Sequence, residues 1–414
     1  MHKIIVLAWR NLFRNKRRTL ITMSAIAFGL ALLVVSSAMG DGGHNQMIRY
    51  GVANQAGHLV VQGEGFQKER KVEILVPDTA EVVATAKRLA PDAKVVQRVF
   101  FDGLLTSPRS AVGVAMVGVE AGPEAEVGDL DTKIVEGRYL TDEDSQGIII
   151  GTLLAEALEV APGDKVVLMT QQNGDIQNVL FRVTGLFKTG MAELDGFYAH
   201  VPLKKAQEAF SLGTEVNQVS LHLPDPDDTD ALALRLREAL ASASISAEVL
   251  PWQEALPELY EFILLDDGGM YVLILIIAIV VAFGILNTVL MSVLERTHEL
   301  GVMLSLGMTP WQVAAMILTE AVLLGLISIV VGSGVGGLMA WPLIVNGIDV
   351  SEMVAGQGAV GAAGVPMDMM LYGELSAVKV VVFARITFGL TLLAALYPTW
   401  KAARLHPVEA IHHH

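Results

Sequence analysis

Glu295, Arg296, His298 and Glu299 place two carboxylates, a guanidinium and an imidazole between one apolar run that ends at Leu294 and another that begins near Val313. Gly301, Leu306 and Gly307 follow, then Thr309 and Pro310. Thr309 suits a helix N-cap with Pro310 at the first helical position behind it, and the two glycines let the backbone turn. A short turn between apolar helices needs a few polar residues. It does not need an ordered charged run, two glycines and a capped helix start. The chemistry on offer is therefore recognition, at a hinge on a membrane surface where a soluble partner docks.

Catalytic chemistry is not written in the motifs. No GxxxxGK[ST] phosphate loop occurs, so the chain does not hydrolyse a nucleotide by that route, and GxSxG, HExxH and a strand-linked GxGxxG are missing too. His44, His58, His200 and His222 stand apart without ligand spacing, and the chain has no cysteine, which excludes disulfides and thiolate metal sites. No metal, no cofactor and no nucleic-acid partner is expected for this chain.

The elements that would hold the hinge are membrane spans. The 414 residues are 52% apolar and 18% charged, with a mean hydropathy of +0.50. Four runs approach or exceed the roughly 20 residues that cross a bilayer: 19–40, 268–294, 313–345 and 378–400. The first 18 residues hold six bases and no acid, whereas the segment from Asp41 to Asp267 holds 18 bases against 36 acids. This asymmetry puts the N-terminus in the cytoplasm and the acidic block outside. The 295–312 hinge and the 401–414 tail then fall inside, and the 346–377 loop, with four acids and no base, outside.

Residues 1–18 read as an amphipathic elbow helix lying on the membrane, with Ile5, Trp9, Leu12 and Phe13 on one face. The alternative is a signal peptide cleaved near Ser36-Ser37-Ala38. A run twice the usual length, followed by three more spans, favours a retained anchor. Residues 41–267 alternate short strands and helices. Strands at 58–62, 94–105, 217–223 and 247–252 and helices at 78–89, capped by Asp78, and 227–240 form two strand-helix-strand units in one α+β subdomain. A β-rich lobe at about 126–208 is inserted between them, with strands at 147–151, 165–171 and 177–187 and a turn at Asn173-Gly174-Asp175. The fold class is an α-helical membrane protein with four transmembrane helices and a large α+β extracytoplasmic domain between the first two. His412-His413-His414 reads as the start of an expression tag.

Polar residues inside spans are costly and are functional by default. Asn287, about two turns before the hinge, reads as interhelical packing glue. Glu320, about 10 Å into the third span at 1.5 Å per residue, either ties that helix to the hinge or elbow or reaches for water. Arg385 snorkels, and its depth rules out pairing with Glu320. Gly325, Gly332, Gly334, Gly336 and Gly337 give the third span small faces for close helix packing.

The runs Asn287-Thr288-Val289, Ser292 to Gly301 and Leu306-Gly307-Met308-Thr309 resemble the coupling region of FtsX/MacB-type ABC transporter permeases. The ending Tyr397-Pro398-Thr399-Trp400-Lys401 to Ile411 is similar to that family's usual ending. Glu136-Gly137-Arg138-Tyr139-Leu140, Ile150-Gly151 with Leu158 and Gly163-Asp164, and Phe181 to Met191 with Asp195 are similar to its MacB-like periplasmic core domain. Phe187–Asp195, Val201-Pro202-Leu203 and Thr309-Pro310 look most like the lipoprotein-releasing LolC/LolE-type permeases. His298 and Leu304 depart, since the family often has Arg at both. The resemblance implies a multi-pass inner-membrane permease without catalytic residues of its own. It implies a second permease copy or homologue and a cytoplasmic ABC ATPase dimer that carries ATP and Mg. Closure of that dimer is transmitted through Glu295–Pro310 to the external domain, which lifts lipoprotein cargo from the membrane lipid and passes it to a periplasmic carrier. The runner-up is MacB-like efflux of drugs or peptides through an outer-membrane duct. A third reading is an FtsX-like scaffold controlling cell-wall hydrolases, whose external domain is usually much smaller.

Overall fold

The computed structural model describes residues 2–14, 16–172, 175–190, 192–349 and 370–404. The Asn173-Gly174 turn, Met191, most of the 346–377 loop with Gly356, Gly358, Gly361 and Gly364, and the tail from Leu405 lie outside them. The chain divides into two compact units, one of Met1–His44, Leu264–Ile348 and Leu371–His414, the other of Asn45–Ile263 and Asp349–Met370.

The helices of the first unit follow from apolar runs too long for any strand. They are α1 (His2–Arg14) and α2 (Lys16–Gly51), then, after the helices of the second unit, α6 (Pro257–Glu295), α7 (Thr297–Ser305), α8 (Pro310–Asn346) and α9 (Ala377–Ala403). Four stretches are long and apolar enough to cross a membrane, at Thr19–Ala56, Pro257–Glu295, Pro310–Asn346 and Ala377–Ala403. The first does not stop where its apolar run stops, because α2 stays helical through Gly40, Gly42 and Gly43. Gly42 serves close approach: a Cβ there would stand 1.9 Å from the Tyr372 carbonyl oxygen.

Small residues set the packing of the spans. A Cβ on Gly332 would lie 2.8 Å from the Ala27 carbonyl oxygen, one on Gly336 2.8 Å from Val34 Cβ, and one on Gly325 3.0 Å from Thr391 Cγ2. These three let α8 approach α2 and α9 closely. Gly334 and Gly337 take no part, since a Cβ on either meets nothing within 4 Å among the described residues. They sit off the 332/336 stripe by about 100–200° at 100° per residue. Among the described side chains of α1, Ala8 and Leu12 are buried and Trp9 is exposed, while the side chains of Ile5 and Phe13 lie outside those described.

The second unit is built on a ten-stranded sheet. Its strands are β1 (Leu59–Gly63), β2 (Lys94–Thr106), β3 (Ala111–Val119), β4 (Ile134–Gly137), β5 (Gly147–Gly151), β6 (Lys165–Gln172), β7 (Asp175–Phe187), β8 (Tyr198–Pro202), β9 (Gln218–His222) and β10 (Ala247–Pro251). The order is β10-β1-β9-β2-β3-β8-β5-β7-β4, with β6 pairing β2 and β7. Pairs β3–β8 and β5–β7 are parallel; the others are antiparallel. The two strand-helix-strand units do interleave, as β10-β1-β9-β2. The lobe between them does not stand apart, because β2 runs on: Lys94–Arg98 pair with β9 and Arg98–Thr106 with β3. Leu59, Val61, Val99, Leu105, Met116 and Phe181 are among the buried side chains of one shared core.

Helices α3 (Thr79–Leu89) and α5 (Thr229–Ser242) cover this core. Asp78 does not cap α3. It holds φ 48° and its side chain makes no capping bond, while Thr79 Oγ1 donates to the Val76 carbonyl. Ahead of α5, Asp225 accepts from the Asp227 amide, and a short 3₁₀ turn over Pro226–Asp228 precedes the helix.

Candidate functional site

The turn read as a hinge is a helix between two breaks. After α6 ends at Glu295, Arg296 leaves helical geometry at φ −111° and α7 begins. Gly301 does not turn the chain: it lies buried inside α7, on the face of Thr297 and Leu300. A glycine without a Cβ suits a packed helix face as well as a turn. Gly307 makes the turn instead, at φ 97°. Its amide donates to the Leu304 carbonyl at 3.1 Å and the Met308 amide to Met303 at 3.0 Å, a Schellman closure that satisfies the last carbonyls of α7. Thr309 then caps α8 in a capping box with Gln312, and Pro310 opens the helix.

Apolar packing seats this turn. Val293, Leu300, Val313, Met316 and Ile317 form a buried cluster, with Met303, Leu304 and Met308 against it. Charged groups tie it sideways. Arg14 Nη2 of α1 donates to Glu299 Oε1 and Oε2 at 2.9 and 3.0 Å, and Arg296 donates from Nε to Glu299 at 3.3 Å and from Nη1 to Glu320 at 3.4 Å. Elbow, turn and α8 are thus joined by one ionic chain. Burial raises the Glu299 carboxyl, but hydrogen bonds and charge from Arg14 and Arg296 outweigh it and hold it below the usual carboxylate range. Glu320 therefore ties α8 to the turn, the first of its two sequence readings.

Other side chains of this segment are exposed. Glu295 and His298 are exposed, as are Leu306 at 82% and Trp311 at 84%, with Val302 beside them in sequence on α7. Large apolar side chains held out by a fixed turn and flanked by charge offer contact area to a partner rather than groups for catalysis. Arg14, Val302 and Trp311 are not singled out by sequence reasoning. Trp311 directly follows the capping pair, which is the signal that finds it.

Of the intramembrane polar residues, Asn287 is exposed on α6 and bonds no other helix among the described residues. Its neighbour Thr288 does, accepting from Thr22 Oγ1 at 2.7 Å. Arg385 is exposed on α9, in keeping with snorkelling.

In the second unit, Arg98 of β2 is fully buried. Its Nε donates to Glu124 Oε2 at 3.0 Å and its Nη2 to Glu124 Oε1 and to the Ala53 carbonyl, both at 2.7 Å. Glu124 lies on α4 (Ala121–Ala125) and Ala53 in a π-turn over Val52–Ala56 that directly follows α2. The pair therefore fixes that turn to the sheet. His200 lies near it, 3.5 Å from Tyr139 Oη, and His58 and His222 stack edge-on.

Residues 19–239 match the family model described as MacB-like periplasmic core domain, and residues 271–407 match that of the FtsX-like permease C-terminal. The chain is 26% identical to the lipoprotein-releasing system transmembrane protein LolC of Neisseria meningitidis serogroup B, over 95% of this chain and 93% of that protein. It is 24% identical to the transmembrane protein LolE of the lipoprotein-releasing system of Haemophilus influenzae, over the full length of both. With the macrolide export ATP-binding/permease protein MacB of Neisseria gonorrhoeae it shares 22% identity, over 96% of this chain and 58% of that protein.

Proposed function

The chain belongs to the FtsX-like permeases that carry a MacB-like periplasmic core domain, and from that premise we propose that it is the membrane subunit of an ATP-driven lipoprotein extractor. It takes acylated proteins from the outer leaflet of the inner membrane and passes them to a periplasmic carrier. Both termini lie in the cytoplasm and the sheet domain in the periplasm. ATP and Mg sit on a cytoplasmic ATPase dimer, and a second permease, a copy or a homologue, completes the assembly.

One observation carries the reading. Leu306 and Trp311 project from a turn that is tied by Arg14, Glu299, Arg296 and Glu320. A partner pressing on that face pushes against an element already bonded to α1 and α8, so the push reaches the spans. Similarity to LolC and LolE along nearly the whole chain supports lipoprotein as the cargo. Similarity to MacB keeps export of small molecules as the second reading.

Affinity purification from the native membrane, with mass spectrometry of bound proteins and acyl chains, tests the proposal. An ABC ATPase with acylated lipoproteins is the expected result. An ATPase with an outer-membrane duct moves the reading to export, and no ATPase overturns both. Leu306→Asp with Trp311→Ala is expected to weaken ATPase retention about tenfold or more while leaving the unfolding of the sheet domain unchanged. Undiminished retention would remove the docking face from the proposal.

A further inference from the structure

The first half of α2 is open along one line. Arg17, Leu20, Ile21, Ser24, Ala25 and Phe28 are exposed, and at 100° per residue they fall within about 80° of the line through Arg17. The large apolar members stand far out, Leu20 at 64%, Ile21 at 63% and Phe28 at 68%. On the opposite side Thr22, Ile26 and Leu30 are buried, and a Cβ on Gly29 would lie 3.0 Å from Ile277 Cγ2 of α6. Leu32, 40% exposed, closes the stripe, since no residue from Leu33 to His44 is exposed. From Arg17 to Leu32 the helix rises about 22 Å at 1.5 Å per residue. That is the depth of one leaflet, half of a bilayer of roughly 40–45 Å with its headgroups.

Charge stands at one end of this stripe. Lys16 and Arg17 open α2, whose first turn holds no acid, while Arg10 and Arg14 lie one turn apart at the end of α1. All four are exposed. Arg14 has Glu299, but no carboxylate oxygen lies within 4 Å of Arg10, Lys16 or Arg17 among the described residues. A helix start is the positive end of the dipole and favours acids. Bases placed there repel it and one another, so an external anion is stabilised at this point. A cation followed by an apolar stripe repeats the order of phosphate and acyl chain in a phospholipid.

We propose that this face of α2 binds one anionic phospholipid of the leaflet that meets the start of the helix. Its phosphate and charged headgroup sit on Lys16 and Arg17, and an acyl chain runs along Leu20, Ile21, Ala25 and Phe28. A headgroup of net negative charge is preferred to a zwitterionic one, whose ammonium the bases repel. The site goes beyond the transporter reading and needs only that α2 crosses the bilayer. It shares no residue with Leu306 and Trp311, so its failure would leave ATPase retention untouched.

The full chain in detergent is offered an equimolar mixture of dioleoyl phosphatidylglycerol and dioleoyl phosphatidylcholine, and the lipids it retains are counted by native mass spectrometry. Phosphatidylglycerol is expected to exceed phosphatidylcholine about tenfold. Lys16→Gln with Arg17→Gln is expected to bring the ratio close to one, and Arg385→Gln, which removes an exposed base of α9, to leave it unchanged. Phe28→Ala keeps every base and tests the stripe without the double variant: it is expected to lower retention of the dioleoyl lipid but not of dihexanoyl phosphatidylglycerol, whose chains are too short to reach it. Equal retention of the two dioleoyl lipids overturns the proposal, as does a ratio unaltered by the double variant or lowered as far by Arg385→Gln. Retention of the dioleoyl lipid unaltered in Phe28→Ala removes the acyl stripe. Displacement of the lipid by inorganic phosphate as readily as by dihexanoyl phosphatidylglycerol assigns the bases to a free anion and overturns the lipid site.

Discussion

Arg98–Glu124 in the sheet domain and Arg14–Glu299 at the turn before α8 are both arginine–glutamate pairs of nearly equal length, 2.7 and 3.0 Å against 2.9 and 3.0 Å, the first donated by Nε and Nη2 and the second by Nη2 alone. Their surroundings differ completely. The first pair's side chains are 0% and 3% exposed, the second's 55% and 45%. In the interior, neither charge can return to water without unfolding, so the bond holds the π-turn permanently to the sheet. At the surface, water competes for every contact and the bond can be given up at little cost. Similar distances thus go with a permanent fixture in one place and a replaceable tie in the other, and the replaceable one sits where a partner is proposed to push.

The largest expected effect breaks the interior member. Glu124→Gln leaves a buried guanidinium without its counter-charge and is expected to cost about 3–5 kcal/mol, read as a lower unfolding midpoint of the sheet domain. Replacing both partners by apolar residues, Arg98→Met with Glu124→Leu, is expected to recover much of that loss. A double variant no better than the single one would mean that the bond to Ala53 carries the anchor.

Acid attacks the same region by a second route. Burial pushes His200 down to about 4 and His222 down to about 3, from an ordinary 6.5. Both stay neutral in the folded domain where an unfolded chain would take up protons. Stability is therefore expected to fall as pH drops from about 6.5 toward about 4, and to go on falling toward 3. A series of unfolding midpoints against pH measures this, and His200→Gln is expected to flatten the upper part. The turn is expected to respond less: Thr309→Ala removes the cap of α8 for about 1 kcal/mol. Smallest of all, a double-mutant cycle of Arg14→Gln and Glu299→Gln is expected to give a coupling of about 1 kcal/mol or less that shrinks at high salt. A coupling of several kcal/mol would erase the contrast between the two pairs.

What the sequence discloses follows from the range of the interaction involved. The capped start of α8 is legible because Thr309, Pro310 and Gln312 act on one another within a single turn. The strands of the two strand-helix-strand units are legible because their alternation is local. Arg98 is not, since its partner stands 26 residues away and nothing in an extended run marks a basic residue as buried. Asn287 and Thr288 are hard to tell apart for another reason: a helix apolar on every side has no phase, so the sequence does not say which of two neighbours faces another helix of the same chain. Gly301 and Gly307 look alike in sequence, and only the closing bonds from Gly307 and Met308 separate a packed glycine from a turning one.

Strand β2 also bears on how this domain could have been acquired. Because its first half pairs with β9 and its second with β3 and β6, the segment 126–208 cannot be cut out cleanly. Excision would strip β8 from β3 and β6 from β2, leaving apolar edges with unpaired backbone groups, a template for aggregation. Shortening the domain by removing this segment therefore requires a new protected edge on β2 and β3 in the same step.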